Sequence, residues 1–539
     1  MRKYCKWLRN TVGVACHFYL FALLPLQAQG QGVVRGDCTP GLPADASTAR
    51  SAAASGQRRL PVPTTQWDAS KVYKQLVVLV AYSDVDFTGD SPRERYDMML
   101  NEPGYNEGVG PGCLADYFRE QSNGLFNVEF DVLGPFKVAE EANPYSDPTK
   151  DTRNYGASAL KAATQMLIAQ QPDLDYTQYD WNGDGKIEQV VYVVAGYAGN
   201  QGKRSYGYLW PNTSSFSTIT TPDGMKISNY TVSAEMWLNE KSCGIGTICH
   251  EFSHSLGLPD IYPTGTSSSF YSVCDEWDLM DGGNFTNWGW CPPNYTAQEK
   301  MYLGWLTPTE LSEPVTITGM EPISEGGETY IIHHTDTEYL LIENHQRTGW
   351  DAAAPGQGLL ITHVDYSASV WSSNRVNAND SHFRYDIVHA DNLHYEQWDL
   401  LTDQRALLQW VDFEEALYNH HLSTSPYPWQ TDSTAVNNML TDTSVPAAMM
   451  YNQNIAGEKI LRKPVTNIVM ADDGTISFDF CITTSISPAV SNRSESDHSA
   501  DVYNLMGQKL QANGLSAYRS LPGQRKGLYI CGGKKKILK

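Results

Sequence analysis

Two short runs constrain the fold of this 539-residue chain more than any other feature. Leu76-Val77-Val78-Leu79-Val80-Ala81 and Val190-Val191-Tyr192-Val193-Val194-Ala195 are apolar without interruption. They are too short for helices and do not alternate, which is the pattern of strands covered on both faces. A strand buried on both sides needs a layer above it and another below, so a parallel or mixed sheet flanked by helices is predicted. The residues between the runs agree. Leu114 to Gln121 is patterned as an amphipathic helix stopped by Ser122-Asn123-Gly124, Phe126 to Phe130 alternates like a strand, and Ala157 to Ala169 reads as a second helix.

Beyond Trp305 the pattern changes to short strands such as Tyr330-Ile331-Ile332, Tyr339-Leu340-Leu341-Ile342 and Leu359-Leu360-Ile361-Thr362, a mostly β region. The chain is also too long for one core of ordinary size. At its start, Arg2, Lys3, Lys6 and Arg9 precede an apolar stretch from Val12 to Leu26 and a small residue, Ala28. That stretch is about 15 residues, short of the roughly 20 needed to span a bilayer, so it reads as a removable export signal. The predicted organisation is a signal peptide at 1–28, a pro-segment or linker at 29–72 with a processing point at Arg58-Arg59, and an α/β catalytic domain at 73–310. A β-rich accessory domain at 311–482, a Ser- and Thr-rich linker at 483–499 and a small β module at 500–539 follow.

A formal net charge of -22 argues against a phosphate-backbone ligand, which needs clustered Lys and Arg to replace counterions, so nucleic acid is not expected as a partner. No later segment is apolar enough to span a membrane, and the mature protein is expected to be secreted or held at the cell surface. Cys38, Cys113, Cys243, Cys249, Cys274, Cys291, Cys481 and Cys531 remain after the signal, with no CxxC pair. Export permits disulfides, and crosslinks among Cys243 to Cys291 could hold loops there. Cys38, upstream of the α/β domain, is also a candidate thiolate cap for a metal in a zymogen.

The chemistry concentrates in Thr247-Ile248-Cys249-His250-Glu251-Phe252-Ser253-His254-Ser255-Leu256-Gly257. On a helix, His250 and His254 share a face and can reach one zinc ion, with Glu251 beside it as general base. Ile245, Cys249, Phe252 and Leu256 form an apolar stripe on another side, and Gly257 and Pro259 end the helix. The glycine turn lets Asp260 swing back as third ligand; Asp275 and Glu276 are its rivals. Met280, followed by Asp281-Gly282-Gly283, looks like a tight turn able to place a thioether beneath the ligands. A second metal is suggested by Asp180-Trp181-Asn182-Gly183-Asp184-Gly185-Lys186-Ile187-Glu188. Its alternating oxygens, Asp180, Asn182, Asp184 and Glu188, resemble half of a calcium loop, although position twelve is Val191 rather than Glu.

Taken together these residues resemble the immune inhibitor A-like metallopeptidases, within the metzincin-like zinc peptidases. His250 to Asp260, Trp277 to Gly283 and Glu299-Lys300-Met301-Tyr302-Leu303-Gly304-Trp305 occur in that family's order. Leu76 to Asp86 is similar to its first strand, and Asp116 to Gly124 to a helix and turn. The resemblance implies a metzincin-like fold and endopeptidase action on protein or peptide substrates. It also implies His250 and His254 as ligands, Glu251 as base and Met280 as the Met-turn residue. Asp260 stands where many metzincins carry a third histidine. Tyr262 and Tyr295 are the candidates for the oxyanion donor.

Val502-Tyr503-Asn504-Leu505-Met506-Gly507-Gln508 and Gly527-Leu528-Tyr529-Ile530 resemble the sorting domains of Bacteroidetes type IX secretion, which implies a secretion machinery as partner. The expected function is thus a secreted zinc-dependent endopeptidase. The alternative is a non-catalytic surface binding protein with structural zinc, against which the intact Glu251 speaks.

Overall fold

A computed structural model of the protein describes residues 60–61, 67–143, 155–200, 207–237, 240–265, 272–393, 422–431 and 435–482, with short strands at 502–503, 509–511, 527–531 and 534–538. The expected export signal, Cys38, Arg58-Arg59 and the linker at 483–499 lie outside them. Residues up to Ile482 form one compact unit and Thr483–Lys539 a second.

The two apolar runs lie at the heart of a five-stranded mixed sheet. Its strands are β1 (Val72–Ala81), β2 (Asn127–Lys137), β3 (Val190–Tyr197), β4 (Asn212–Thr220) and β5 (Lys226–Met236), in the order β2-β1-β3-β5-β4. β1 is parallel to β2 and β3, and β3 to β5, while β4 runs antiparallel at the edge. Successive side chains of a strand point to opposite faces. Leu76, Val78, Val80, Val190, Tyr192 and Val194 accordingly enter a core on one face, and Val77, Leu79, Val191, Val193 and Ala195 a different core on the other. Covering both faces is what removes any need for polar alternation. Each fully buried Val or Leu contributes about 1.5–3 kcal/mol of transfer free energy.

The first of these cores is closed by a helix, α3 (Tyr155–Gln170), through Ala159, Leu160, Ala163 and Leu167. The second takes α1 (Pro92–Asn101), α2 (Leu114–Gln121) and α4 (Gly246–Leu256). Its opposite wall is a second five-stranded sheet, β11-β10-β9-β8-β6. Those strands are β6 (Thr309–Glu310), β8 (Tyr330–His333), β9 (Glu338–His345), β10 (Gly358–Asp365) and β11 (Tyr385–Ile387). Ile331, Tyr339, Leu341, Leu360 and Val364 face the core that holds α4, while Ile332, Leu340, Ile342, Leu359 and Ile361 face away. On that far side they pack with Met320, Val465, Ile476, Phe478 and Phe480 of a three-stranded sheet, β14-β15-β7. Its strands are β7 (Val315–Met320), β14 (Val465–Met470) and β15 (Ile476–Phe480). The core that holds α4 therefore draws its residues from both sides of position 310.

Within the second unit, four strands form an antiparallel sheet: β16 (Val502–Tyr503), β17 (Lys509–Gln511), β18 (Gly527–Cys531) and β19 (Lys534–Leu538). No helix among the described residues is long and apolar enough to cross a membrane. The crosslinks that export would permit among Cys243 to Cys291 are not formed: Cys113, Cys243, Cys249, Cys274, Cys291 and Cys481 are free thiols. Most are core residues rather than loop staples. Cys249 lies on the apolar stripe of α4, and burial pushes its thiol well above the ordinary range.

Candidate metal centre

α4 forms where the apolar stripe demands it. Ile245, Cys249, Phe252 and Leu256 are all buried in the shared core, which turns the opposite side of the helix away from that core. Gly246 admits a close approach at the helix start, since a Cβ there would fall 2.1 Å from the Asn284 carbonyl oxygen. Gly257, at φ 110°, reverses the chain after the last turn, and Leu258 N donates to Ser253 O at 3.0 Å.

On the turned-away side the two imidazoles lie 5.0 Å apart, centroid to centroid, with their planes at 85°. His250 Nδ1 pairs with the Leu279 carbonyl at 2.8 Å, and His254 Nδ1 with the Leu258 carbonyl at 2.8 Å. Both carbonyls can only accept, so each Nδ1 carries a proton and Nε2 is the atom that the neutral imidazole leaves for a metal. Asp260 meets those two nitrogens: its Oδ1 is 3.2 Å from His250 Nε2 and 3.1 Å from His254 Nε2. This buried oxygen has no hydrogen-bond partner, whereas Oδ2 accepts from Asn374 Nδ2 at 2.6 Å. Three buried ligand atoms thus converge within 4.8 Å of one another, with every other polar atom of their side chains committed elsewhere. Among the described residues, His250, His254 and Asp260 are the one group of three or more His, Cys, Asp or Glu brought together in this way. An orphaned carboxylate oxygen facing two imidazole nitrogens fits a metal ion.

The electrostatics agree with a cation site. Burial acts to lower the His250 imidazole, but the Asp260 carboxylate and the Glu251 charge raise it to about 9. Burial acts to raise Asp260, yet the two histidines hold its carboxyl far below the usual carboxylate range. Glu251, next on the helix, is buried to 9% exposure, and its Oε2 accepts from Thr213 Oγ1 of β4 at 3.1 Å. The same hydroxyl hydrogen is shared with the Glu251 backbone carbonyl, which ties this turn of the helix to the sheet edge.

The other candidates fall elsewhere. Asp275 and Glu276 are buried in a short 3-10 turn and do not join the converging group. The Asp275 amide donates to Asp281 Oδ2 at 3.0 Å, and its carbonyl accepts from Gly282 N at 3.1 Å. Met280 is fully buried in the turn that supplies the Leu279 carbonyl; its carbonyl accepts from Ile261 N at 2.9 Å. The Tyr262 ring lies parallel to His250 with centroids 6.4 Å apart, whereas the fully buried Tyr295 hydroxyl pairs with Ser253. In the 180–188 loop the oxygens turn inward onto the loop itself. Asp180 accepts from the amides of Gly183, Asp184 and Gly185, Asn182 from Asp184, Asp184 from Lys186, and Glu188 from Trp181 and Asn182. Asp180, Asp184 and Glu188 do not form a converging group of the kind made by His250, His254 and Asp260.

Sequence reasoning missed Asn374 and Thr213. The Leu258 carbonyl follows from the Gly257 reversal, but no local pattern marks a side chain 114 residues from its partner.

The chain is similar to immune inhibitor A of Bacillus thuringiensis subsp. alesti, 25% identical over 273 residues, which cover 42% of this chain and 39% of that protein. It is also similar to the pre-pro-metalloprotease PrtV of Vibrio cholerae serotype O1, in two strains, 20% identical over 267 residues, covering 45% of this chain and 28% of PrtV. The chain therefore spans well under two thirds of the length of these relatives. Residues 69–305, which hold His250, Glu251, His254 and Asp260, match the family described as immune inhibitor A peptidase M6, catalytic domain.

Proposed function

We propose that the protein is a secreted zinc-dependent endopeptidase, with His250, His254 and Asp260 as ligands and Glu251 as general base. The observation that carries this reading is the orphaned Asp260 Oδ1 facing two Nε2 atoms, with a carboxylate adjacent on the same helix. Two imidazoles and one carboxylate are a donor set that suits zinc and leaves a coordination position open. Zinc bound there supplies Lewis-acid polarisation of water and of the scissile carbonyl. Glu251 takes the proton of the attacking water and returns it to the leaving amine, and the Thr213 hydroxyl orients its Oε2 for that transfer. Low exposure of the ligands excludes bulk water and strengthens these interactions. The family match over residues 69–305 and the metalloprotease name of one relative support the same reaction. Export rests on the 1–28 signal, and outward sorting on the 500–539 motif.

The test is cleavage of a denatured protein by the purified mature chain, with and without a zinc chelator, beside Glu251→Ala. Chelator-sensitive cleavage into long peptides that disappears in the variant is the expected result. Cleavage that persists in Glu251→Ala overturns the mechanism.

A further inference from the structure

We propose that Asn374 is the positioning residue of the third ligand, so that the β-rich region beyond residue 310 completes the metal centre; the inference rests on the zinc reading above. Asn374 grips Asp260 at two points, accepting from its backbone N on Oδ1 at 2.6 Å and donating from Nδ2 to its Oδ2 at 2.6 Å. A carboxylate can turn about its own bonds and offer either oxygen. With the amide engaging both the backbone and Oδ2, the oxygen left for the histidines is Oδ1. The grip is made by a neutral group, so it orients the carboxylate without cancelling the negative charge that a cation needs.

Asn374 is itself fixed from several directions. It follows a short helix, α5 (Ala368–Ser372), and sits at φ 55°, a left-handed conformation that Asn tolerates better than most residues. Its N donates to Trp371 O at 3.0 Å, and its O accepts from Thr264 Oγ1 at 2.8 Å. Three residues on, Asn377 Nδ2 donates to Ile261 O at 2.8 Å. Gly265 approaches so closely that a Cβ would lie 2.6 Å from the Ala378 carbonyl oxygen. Trp371 and Val376 anchor the segment in the core that also holds α4. The segment carrying the third ligand is thus joined along its length to a loop outside the family-matched residues. A ligand held in this way by an outer partner binds its metal more tightly, typically by 10–100-fold.

The experiment uses the full chain with Asn374→Gly, which keeps the left-handed backbone and deletes both contacts, and Asn374→Asp, which keeps the shape but sets a carboxylate oxygen against Asp260 Oδ2. Zinc affinity is measured by chelator competition, ligand geometry from the visible spectrum of the cobalt-loaded protein, and stability from the thermal midpoint of the metal-free protein. Affinity about 10–100-fold weaker in Asn374→Gly, weaker still in Asn374→Asp, with a shifted cobalt spectrum, is the expected result. A lowered midpoint with parental zinc affinity and spectrum in both variants makes Asn374 a brace only and overturns the proposal. Should Asn374→Gly fail to fold, Asn374→Asp decides alone. A parent chain that takes up no zinc, or keeps it after His250→Ala and His254→Ala, overturns the metal reading itself and this inference with it.

Discussion

The α4 region and the 180–188 loop both carry candidate ligands at spacings that suit a metal ion, yet their polar atoms finish in different places. At α4, the Leu258 and Leu279 carbonyls and Asn374 take up the polar atoms of the three side chains that do not converge. What remains is three atoms converging on one point. In the loop, the partners are the loop's own amides, and the oxygens close it on itself. Motif spacing alone does not separate the two cases. The difference is whether the remainder of the fold relieves the ligands of their other hydrogen bonds.

The comparison can be broken by experiment. Replacing Asp260 or His254 by Ala is expected to abolish stoichiometric zinc and, with it, proteolysis, as read by metal analysis and peptide hydrolysis; Asp180→Ala should leave both intact. Zinc loss in Asp180→Ala would mean that the two regions are coupled. Next in size, Glu251→Gln is expected to lower kcat/KM by about 10²–10⁴-fold while zinc content stays at the parental level. Loss of zinc in that variant would assign Glu251 to the ligand set instead. Asp180→Ala, by removing three amide contacts, should cost about 1–2 kcal/mol in urea unfolding.

A further effect concerns pH. Burial raises the Glu188 carboxyl from 4.5 to about 7 despite its backbone contacts. The folded protein then keeps a proton that the unfolded chain releases, so this group's contribution is full below about pH 4.5 and is lost as pH rises through about 7. Glu188→Gln should flatten that slope in urea midpoints taken across the window. Millimolar calcium that raises the parental midpoint at neutral pH and has no effect on Glu188→Gln would put the loop in the same class as α4.

What could be read from the sequence was local. The runs in β1 and β3 carry their environment in their own composition, and His250, Glu251, His254 and Asp260 fall within one helix and its turn. The end of α4 was equally legible, because Gly257 sits at the one backbone conformation that most residues avoid. The remainder depends on distant partners. Nothing near Asn374 announces Asp260. The strands of β9 and β10 look like an independent sheet until their alternate residues are found in the core of α4. The cysteines misled for a related reason: export allows disulfides, but Cys249 and Cys274 are fixed by apolar packing, which sequence spacing does not report.

The two-point grip on Asp260 also bears on when the protein becomes competent during its synthesis. The helix, the histidines and the third ligand are all made before their partner, which follows 114 residues later. At roughly 5–20 residues per second, that interval is on the order of ten seconds. Throughout it the nascent chain lacks Asn374, so on the role proposed for that residue Asp260 gains its grip only once the second sheet is made. A chain interrupted within that interval would retain the whole HExxH motif and lack the organised centre.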